Sequence, residues 1–360
     1  MSEARVIVIG AGLAGLAVAA RLVSSGGEVL VLEASSRPGG QLQTLREPGL
    51  VVELGAEGFV ANSRAVPELC KLVGVEGSLV DQLTTDTYCV EPDGLLLLPP
   101  GEAARRLGFQ VPSKELGRGI RSLAAGMGEL VDALVRYVGA PRLRLSTNAL
   151  AIGRKAELLQ VELADGSWEQ ARAVVLATPA RPAAGLTEPL APEASSALVS
   201  APLLSNVSVN LLYRRADLGA LPTGGGIIFP NQFAAIGLRA LSLVDHKLPG
   251  RAPAEHALLR VFFRPVGDAL SSWSEQRFAT EAARAIARVL TVTGEPVRTW
   301  VSRWADALPV FNPEFRARVA VADAQLSALG VHLAGSAFHG AGIDAAVASA
   351  DAVAARVAAG

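Results

Sequence analysis

The chain has 360 residues, of which 50% are hydrophobic and 19% charged, with a formal net charge of −1. That balance supports a large buried core and excludes a disordered chain, and the length predicts two domains. Near-neutral charge offers no general attraction for nucleic acid or an anionic membrane.

Residues 5–9 are a short, β-branched apolar run, as expected of a buried parallel strand. Gly10, Ala11, Gly12, Leu13, Ala14 and Gly15 follow and spell G-x-G-x-x-G. Residues 13–23 then read as a buried helix, and 28–32 as the next strand, ending at Glu33. In this pattern Gly10 permits a tight turn, Gly12 lets backbone approach a pyrophosphate and Gly15 allows close helix–strand contact. The helix start presents free amides to the phosphates, and Glu33 stands where a ribose diol would sit. A carboxylate there disfavours a 2′-phosphate. A glycine-rich turn without a ligand is the bland alternative, but strand, turn, helix, strand and acid all agree on a dinucleotide.

The segment "ASSRPGGQLQT" follows Glu33 and contains Arg37, Gly39 and Gly40. It reads either as a second backbone turn near the pyrophosphate, with Arg37 as an anion contact, or as an ordinary polar loop. Together, "GAGLAGL" and "VLEASSRPGGQLQT" resemble the FAD fingerprint of the flavin amine oxidase and protoporphyrinogen oxidase superfamily. The resemblance implies FAD and an α/β fold, and because both cysteines, Cys70 and Cys89, precede position 90, the FAD is expected to be noncovalent. A discontinuous Rossmann-like FAD-binding domain (1–62, 122–181 and 319–360) would join a mixed-sheet α+β substrate domain (63–121 and 182–318). It also implies cofactor contacts from Leu13, Ala14, Ala34, Gln41, Gly55 and Ala56, beside the glycines and Glu33.

In "ELGAEGF", residues 53–59, Glu57 stands where the family often has a polar residue. It reads as a salt-bridged glutamate or as a carboxylate beside the flavin, its pKa raised by desolvation, able to take a proton or bind an amine. Family members often place an arginine just before the hairpin 84–101 to anchor a substrate propionate, and the matching region here offers Thr87 and Tyr88 instead. Leu95 to Leu98 read as a buried strand. Only 26 residues separate Pro100 from Met127, room for two short helices where the family has a long helical, membrane-contacting region.

Residues 127–139 have helical spacing, and 142–154 and 158–180 read as strands with a turn at Asp165–Gly166. By resemblance the strand near Ala149 meets the adenine, and "AVVLATPA" ends near the cofactor at Ala177. "SRWADALPVF" resembles the Trp-x-x-x-x-Pro stretch of protoporphyrinogen oxidases and points to Trp304. The C-terminal "GVHLAGSAFHGAGIDAAV" resembles the closing flavin segment, with Gly335, Gly342 and Ile343 as contacts. His339, where the family often has Lys or Arg, reads as a flavin-edge residue or a structural hydrogen bond. His246, His256 and His332 show no partner pattern.

The cysteines, Cys70 and Cys89, form no CxxC, and no metal motif or nucleoside-triphosphate loop appears, so no metal is expected. No stretch reaches the roughly 20 apolar residues of a membrane span. A cytoplasmic location with weak or absent membrane contact is expected. These readings lead to an FAD-dependent oxidase that passes hydride from a small hydrophobic substrate, such as a porphyrinogen, to flavin, with O2 or another acceptor as oxidant. An amine oxidase or desaturase, or a flavin-binding protein without catalysis, remain as alternatives.

Overall fold

The computed structural model of the chain describes residues 5–108, 118–230, 233 and 236–359. A five-stranded, all-parallel sheet runs in the order Leu143–Arg144, Val29–Leu32, Val6–Ile9, Ala173–Leu176 and Val331–Leu333. Successive strand residues point to opposite faces, and both faces are buried. Val6, Val8, Val29, Val31, Ala173 and Val175 enter one core, with the helices Leu13–Ser24, Gly128–Val138 and Ile343–Ala359. Ile7, Ile9, Leu30, Leu32, Val174 and Leu176 enter the other. That face carries the antiparallel strands Ala149–Lys155, Leu158–Leu163 and Trp168–Ala171, and the helices Ala180–Thr187, Pro192–Val199 and Pro313–Ala328.

A second sheet has seven strands, in the order Arg298–Pro309, Leu203–Arg214, His256–Phe263, Leu238–Leu243, Gly226–Ile228, Thr87–Glu91 and Gly94–Leu97. It is antiparallel except where Gly226–Ile228 meets Thr87–Glu91. Its apolar face, with Val207, Val209, Leu211 and Tyr213, packs on helix Glu275–Ala287. The intervening Ser208 and Asn210 are buried on the other face, toward the parallel-sheet half of the molecule.

Packing draws some divisions differently from the sequence. Val66, Leu69 and Cys70 of helix Ala65–Leu72 belong to the first core of the parallel sheet. Helices Ala180–Thr187 and Pro192–Val199 belong to its second. Boundaries at 62/63 and 181/182 therefore cut through packed cores, because these helices close over the parallel sheet before the chain crosses to the other one.

One local expectation is corrected. Leu95 to Leu98 do not form a buried strand: Gly94–Leu97 is the edge of the seven-stranded sheet, with Leu96 51% and Leu97 50% exposed, and Leu98 alone of the four is buried. Of the two short helices expected in 101–126, one is seen at Glu102–Leu107, and Ile120–Leu123 is a strand pairing with Phe59–Val60 and Leu79–Asp81. Residues 109–117 of that stretch lie outside the described residues.

Candidate active site

The first strand–turn–helix forms as its glycines require. Gly10 adopts φ +103°, and a Cβ there would lie 2.7 Å from the Ala177 carbonyl oxygen. At Gly15 a Cβ would lie 1.9 Å from the Gly10 carbonyl oxygen, so helix and strand approach only through glycine. Gly12 is different. A Cβ there would meet nothing within 4 Å, and the residue lines a cavity of about 2100 Å³. Gly12 also starts helix Leu13–Ser24 with no side chain capping it, so the first-turn amides are open to an anion.

The second turn lies against the first. Gly39 donates to the Ala11 carbonyl at 2.8 Å, and Gly12 and Gly39 form a parallel bridge. Glu33 accepts from the Ala11 amide at 2.7 Å and from the Ser35 amide at 2.9 Å and hydroxyl at 2.7 Å. A carboxylate has about four acceptor sites, so one remains on Glu33, which lines the cavity. The Thr147 amide donates to the Glu33 carbonyl at 2.8 Å, bringing Thr147, Asn148 and Ala149 to the same wall. From the C-terminus, Gly335 donates to Ser349 Oγ at 2.8 Å, and its Cβ position lies 3.1 Å from Ala14.

Most of the residues singled out in the sequence meet on this one cavity. Gly10, Gly12, Leu13, Ala14, Glu33, Ala34, Gly40, Gln41, Ala56, Glu57, Ala149, Ala177, Trp304, Gly335, His339, Gly342 and Ile343 all line it. Gly15, Arg37 and Gly55 do not line it. Gly55 is fixed by contact, since a Cβ there would lie 1.8 Å from the Gln41 carbonyl oxygen. Arg37 donates to the carbonyls of Pro38 and Gly40, at 3.3 and 2.9 Å, and so shapes its own loop. Trp304 donates its indole N–H to the Leu54 carbonyl at 2.9 Å. His339 holds the Leu333 carbonyl through Nε2 at 2.8 Å.

Glu57 takes the salt-bridged form of its two readings, not that of a carboxylate with a raised pKa. Burial pushes its carboxyl up, but the charges of Lys247 and Arg260 outweigh burial and hold it below the usual range. Lys247 makes a direct ion pair with Glu57 Oε1, and Arg260 Nη1 lies 3.9 Å from Oε2. The neighbouring carboxyl goes the other way. Glu53 is buried, and burial raises its pKa despite bonds from the Met127 amide at 2.6 Å and Thr44 Oγ1 at 2.7 Å.

The cations around these acids were missed in the sequence. Arg260 donates to the Gly55 carbonyl at 2.7 Å and to Ser208 Oγ at 3.0 Å. Arg251 donates to Ser122 Oγ at 2.8 Å and to the Leu123 carbonyl at 2.9 Å. A signal existed: in "LLSNVSVNLLYR" polar residues alternate with apolar ones, and "HALLRVFF" carries one arginine in an apolar strand. Such patterns mark a strand face turned to a polar partner.

The site fits a flavin dinucleotide. Its cradle at Gly12 is one a side chain would fill, its helix start is uncapped, and Glu33 is oriented by backbone. Among the described residues no His/Cys/Asp/Glu group could hold a metal, and no helix is long and apolar enough to cross a membrane.

Comparisons with known proteins agree. The family model described as flavin containing amine oxidoreductase matches residues 105–358, and an NAD(P)-binding Rossmann-like domain model matches 8–72. A coproporphyrinogen III oxidase of Propionibacterium freudenreichii subsp. freudenreichii is 32% identical over 227 residues, 62% of this chain but only 42% of that relative. The coproporphyrinogen III oxidase of Bacillus subtilis (strain 168) is 21% identical over 94% of each chain. In structure, an Exiguobacterium sp. 255-15 protein assigned as a protoporphyrinogen oxidase superposes with a TM-score of 0.82 at 22% identity, covering 99% of both chains. That likeness shows the fold. The cofactor of this chain is FAD.

Proposed function

The chain belongs to the flavin containing amine oxidoreductase family, and we propose that it oxidises a porphyrinogen, with coproporphyrinogen III as the substrate to test first. The observation that carries this reading is one continuous cavity of about 2100 Å³. It runs from the glycine turns to the seven-stranded sheet and exceeds the ~300–1,000 Å³ of an ordinary small-molecule site. One end suits a dinucleotide, and the rest leaves room for a macrocycle. The names carried by the two coproporphyrinogen III oxidase relatives support the same substrate class.

When bound, the flavin supplies the acceptor for a hydride leaving a substrate C–H bond. The chain binds, orients and excludes water. Ile228, Ala240 and Phe262 give the sheet-side wall an apolar surface. Trp304 and Gln41 tie the strand Arg298–Pro309 to the dinucleotide loops, through Leu54 and Ala307. Glu57, kept ionised by two cations, is a poor proton acceptor and in this reading fixes Lys247 on the wall. His339 orients the segment that precedes helix Ile343–Ala359. We assign O2, or another diffusible acceptor, as the final oxidant.

Anaerobic mixing of the holoenzyme with coproporphyrinogen III tests the reading. Loss of oxidised-flavin absorbance together with appearance of porphyrin fluorescence is expected. Bleaching by primary amines alone would instead indicate an amine oxidase. No bleaching by either class is the result expected of a flavin-binding protein without catalysis.

A further inference from the structure

Two cations on the cavity wall have no anionic partner among the described residues. Arg239 and Arg264 both line the cavity, and neither makes an ion pair there. Lys247, a third cation on the same wall, is already neutralised by Glu57. Arg239 Nε is buried without a hydrogen-bond acceptor among the described residues. Burial, followed by the charge of Arg239, pushes Arg264 below the usual guanidinium value. Two like charges half-buried together are unfavourable unless an anion joins them.

The backbone has a device that creates this pair. Leu238–Leu243 pairs with His256–Phe263, with Leu238 opposite Phe263 and Ala240 opposite Phe262, so Arg239 is the extra residue of a bulge. Regular alternation would send Arg239 to the face of Leu241 and Leu243, which are buried in the helix-side core. The bulge takes it out of that alternation, a common use of bulges near active sites. Gly237 then closes the pair. It adopts φ +72°, its Cβ position is 2.2 Å from the Arg264 carbonyl oxygen, and the Arg264 amide donates to the Gly237 carbonyl at 2.7 Å.

We propose that Arg239 and Arg264 form a carboxylate-binding subsite, which receives acidic side chains of the substrate beside the apolar surface of Ile228, Ala240 and Phe262. The inference rests on the porphyrinogen reading above and refines it, because a porphyrinogen offers an apolar macrocycle edged by carboxylates. The pair supplies the cationic function absent from the hairpin at Thr87 and Tyr88. Guanidinium forks match carboxylate geometry, and partial burial shields the charges from solvent. The subsite therefore favours substrates with more edge carboxylates over esterified or decarboxylated analogues.

The test titrates holoenzyme with coproporphyrin III, a tetracarboxylate that cannot be oxidised further by this route, and with its tetramethyl ester, which keeps the macrocycle without the charges. Arg239→Gln and Arg264→Gln are each expected to weaken coproporphyrin III binding about 10- to 100-fold, the range of a lost charged hydrogen bond. Ester binding should change little, and flavin content should stay at the wild-type level. Arg239→Lys and Arg264→Lys retain the charge and should recover part of the loss, which separates a binding role from misfolding. Wild-type affinity in the double Gln variant overturns the subsite, as does a wild type that fails to bind coproporphyrin III or prefers the ester. The activity reading is judged apart. Arginine-dependent binding with no flavin reduction by coproporphyrinogen III overturns the activity and keeps the subsite, whereas turnover with binding unaffected by the double substitution does the reverse.

Discussion

Arg260, in the middle of the seven-stranded sheet, donates to the carbonyl oxygen of Gly55 at 2.7 Å, and Gly55 in turn touches the Gln41 backbone of the second dinucleotide loop. One buried guanidinium thus ties the substrate-side sheet to the cofactor side. It is also one of the two cations beside Glu57. Arg260→Met leaves Glu57 its direct pair with Lys247 but takes the charged donor from the buried Gly55 carbonyl and from Ser208 Oγ. A lost hydrogen bond to a charged group costs about 1.5–3 kcal/mol, and the variant is expected to lose stability of that order and to release FAD at lower denaturant concentration. Urea unfolding of the holoenzyme followed by flavin fluorescence measures both, and an unchanged midpoint would show that the tie is dispensable.

Gly12 and Gly15 have opposite tolerances although they share one motif. A Cβ at Gly12 meets no protein atom within 4 Å, whereas one at Gly15 lies 1.9 Å from a backbone oxygen. Gly12→Val should therefore fold and purify colourless, since the valine occupies the dinucleotide's space. Gly15→Ala should be strongly destabilised whether or not FAD is added. Circular dichroism and the flavin absorbance of the purified proteins check the pair. Stoichiometric yellow flavin in Gly12→Val would sink the cofactor assignment.

The dinucleotide side was legible because its chemistry depends on backbone. Glycines where side chains cannot fit, an acid at a strand end and apolar runs buried on both faces are local signals. Gly10, Gly12 and Glu33 accordingly converge on one cavity. The other side was legible only in outline. Leu95 to Leu98 looked like core because four leucines in a row carry no alternation, yet their strand sits at a sheet edge. Edge or centre is decided by strand order, which no local pattern states. A salt bridge at Glu57 was legible as one of two readings, but its partners were not, for the same reason: Lys247 and Arg260 lie far along the chain and meet it only through the second sheet. Arg239 depended on a bulge, a one-residue shift in pairing with a distant strand.

Glu53 should show an inverted pH signature for a carboxylate. Burial raises its folded pKa above the ordinary 4.5. The ionised form is then less favourable in the folded chain than in the unfolded one. That penalty is absent below the unfolded pKa and grows as pH rises toward the raised folded value. Glu53→Gln removes it, so the stability of wild type relative to the variant should fall as pH rises above about 4.5. Urea midpoints measured at several pH values decide this. A wild type that gains on the variant over the same range would mean that the bonds from Met127 and Thr44 outweigh burial.

Glu57 should behave in the opposite sense, and the contrast separates an anchor from a catalytic base. Burial raises its pKa, but Lys247 and Arg260 outweigh burial, so the folded value lies below 4.5. A depressed folded pKa contributes stability that is present above the unfolded pKa and is lost as pH falls through the folded one. Glu57→Gln should therefore be less stable than wild type at neutral pH, with the gap closing as pH drops below about 4.5. The same variant tests the chemistry. A general base contributes about 10²–10⁴-fold to the rate it serves. A carboxylate held low by two cations is a weak base, and Glu57→Gln is expected to reduce its flavin within about tenfold of the wild-type rate, short of that range. Single-turnover reduction by coproporphyrinogen III at neutral pH gives the comparison. A loss within the general-base range, with flavin content and fold intact, would return Glu57 to the proton-transfer role and make Lys247 its modulator.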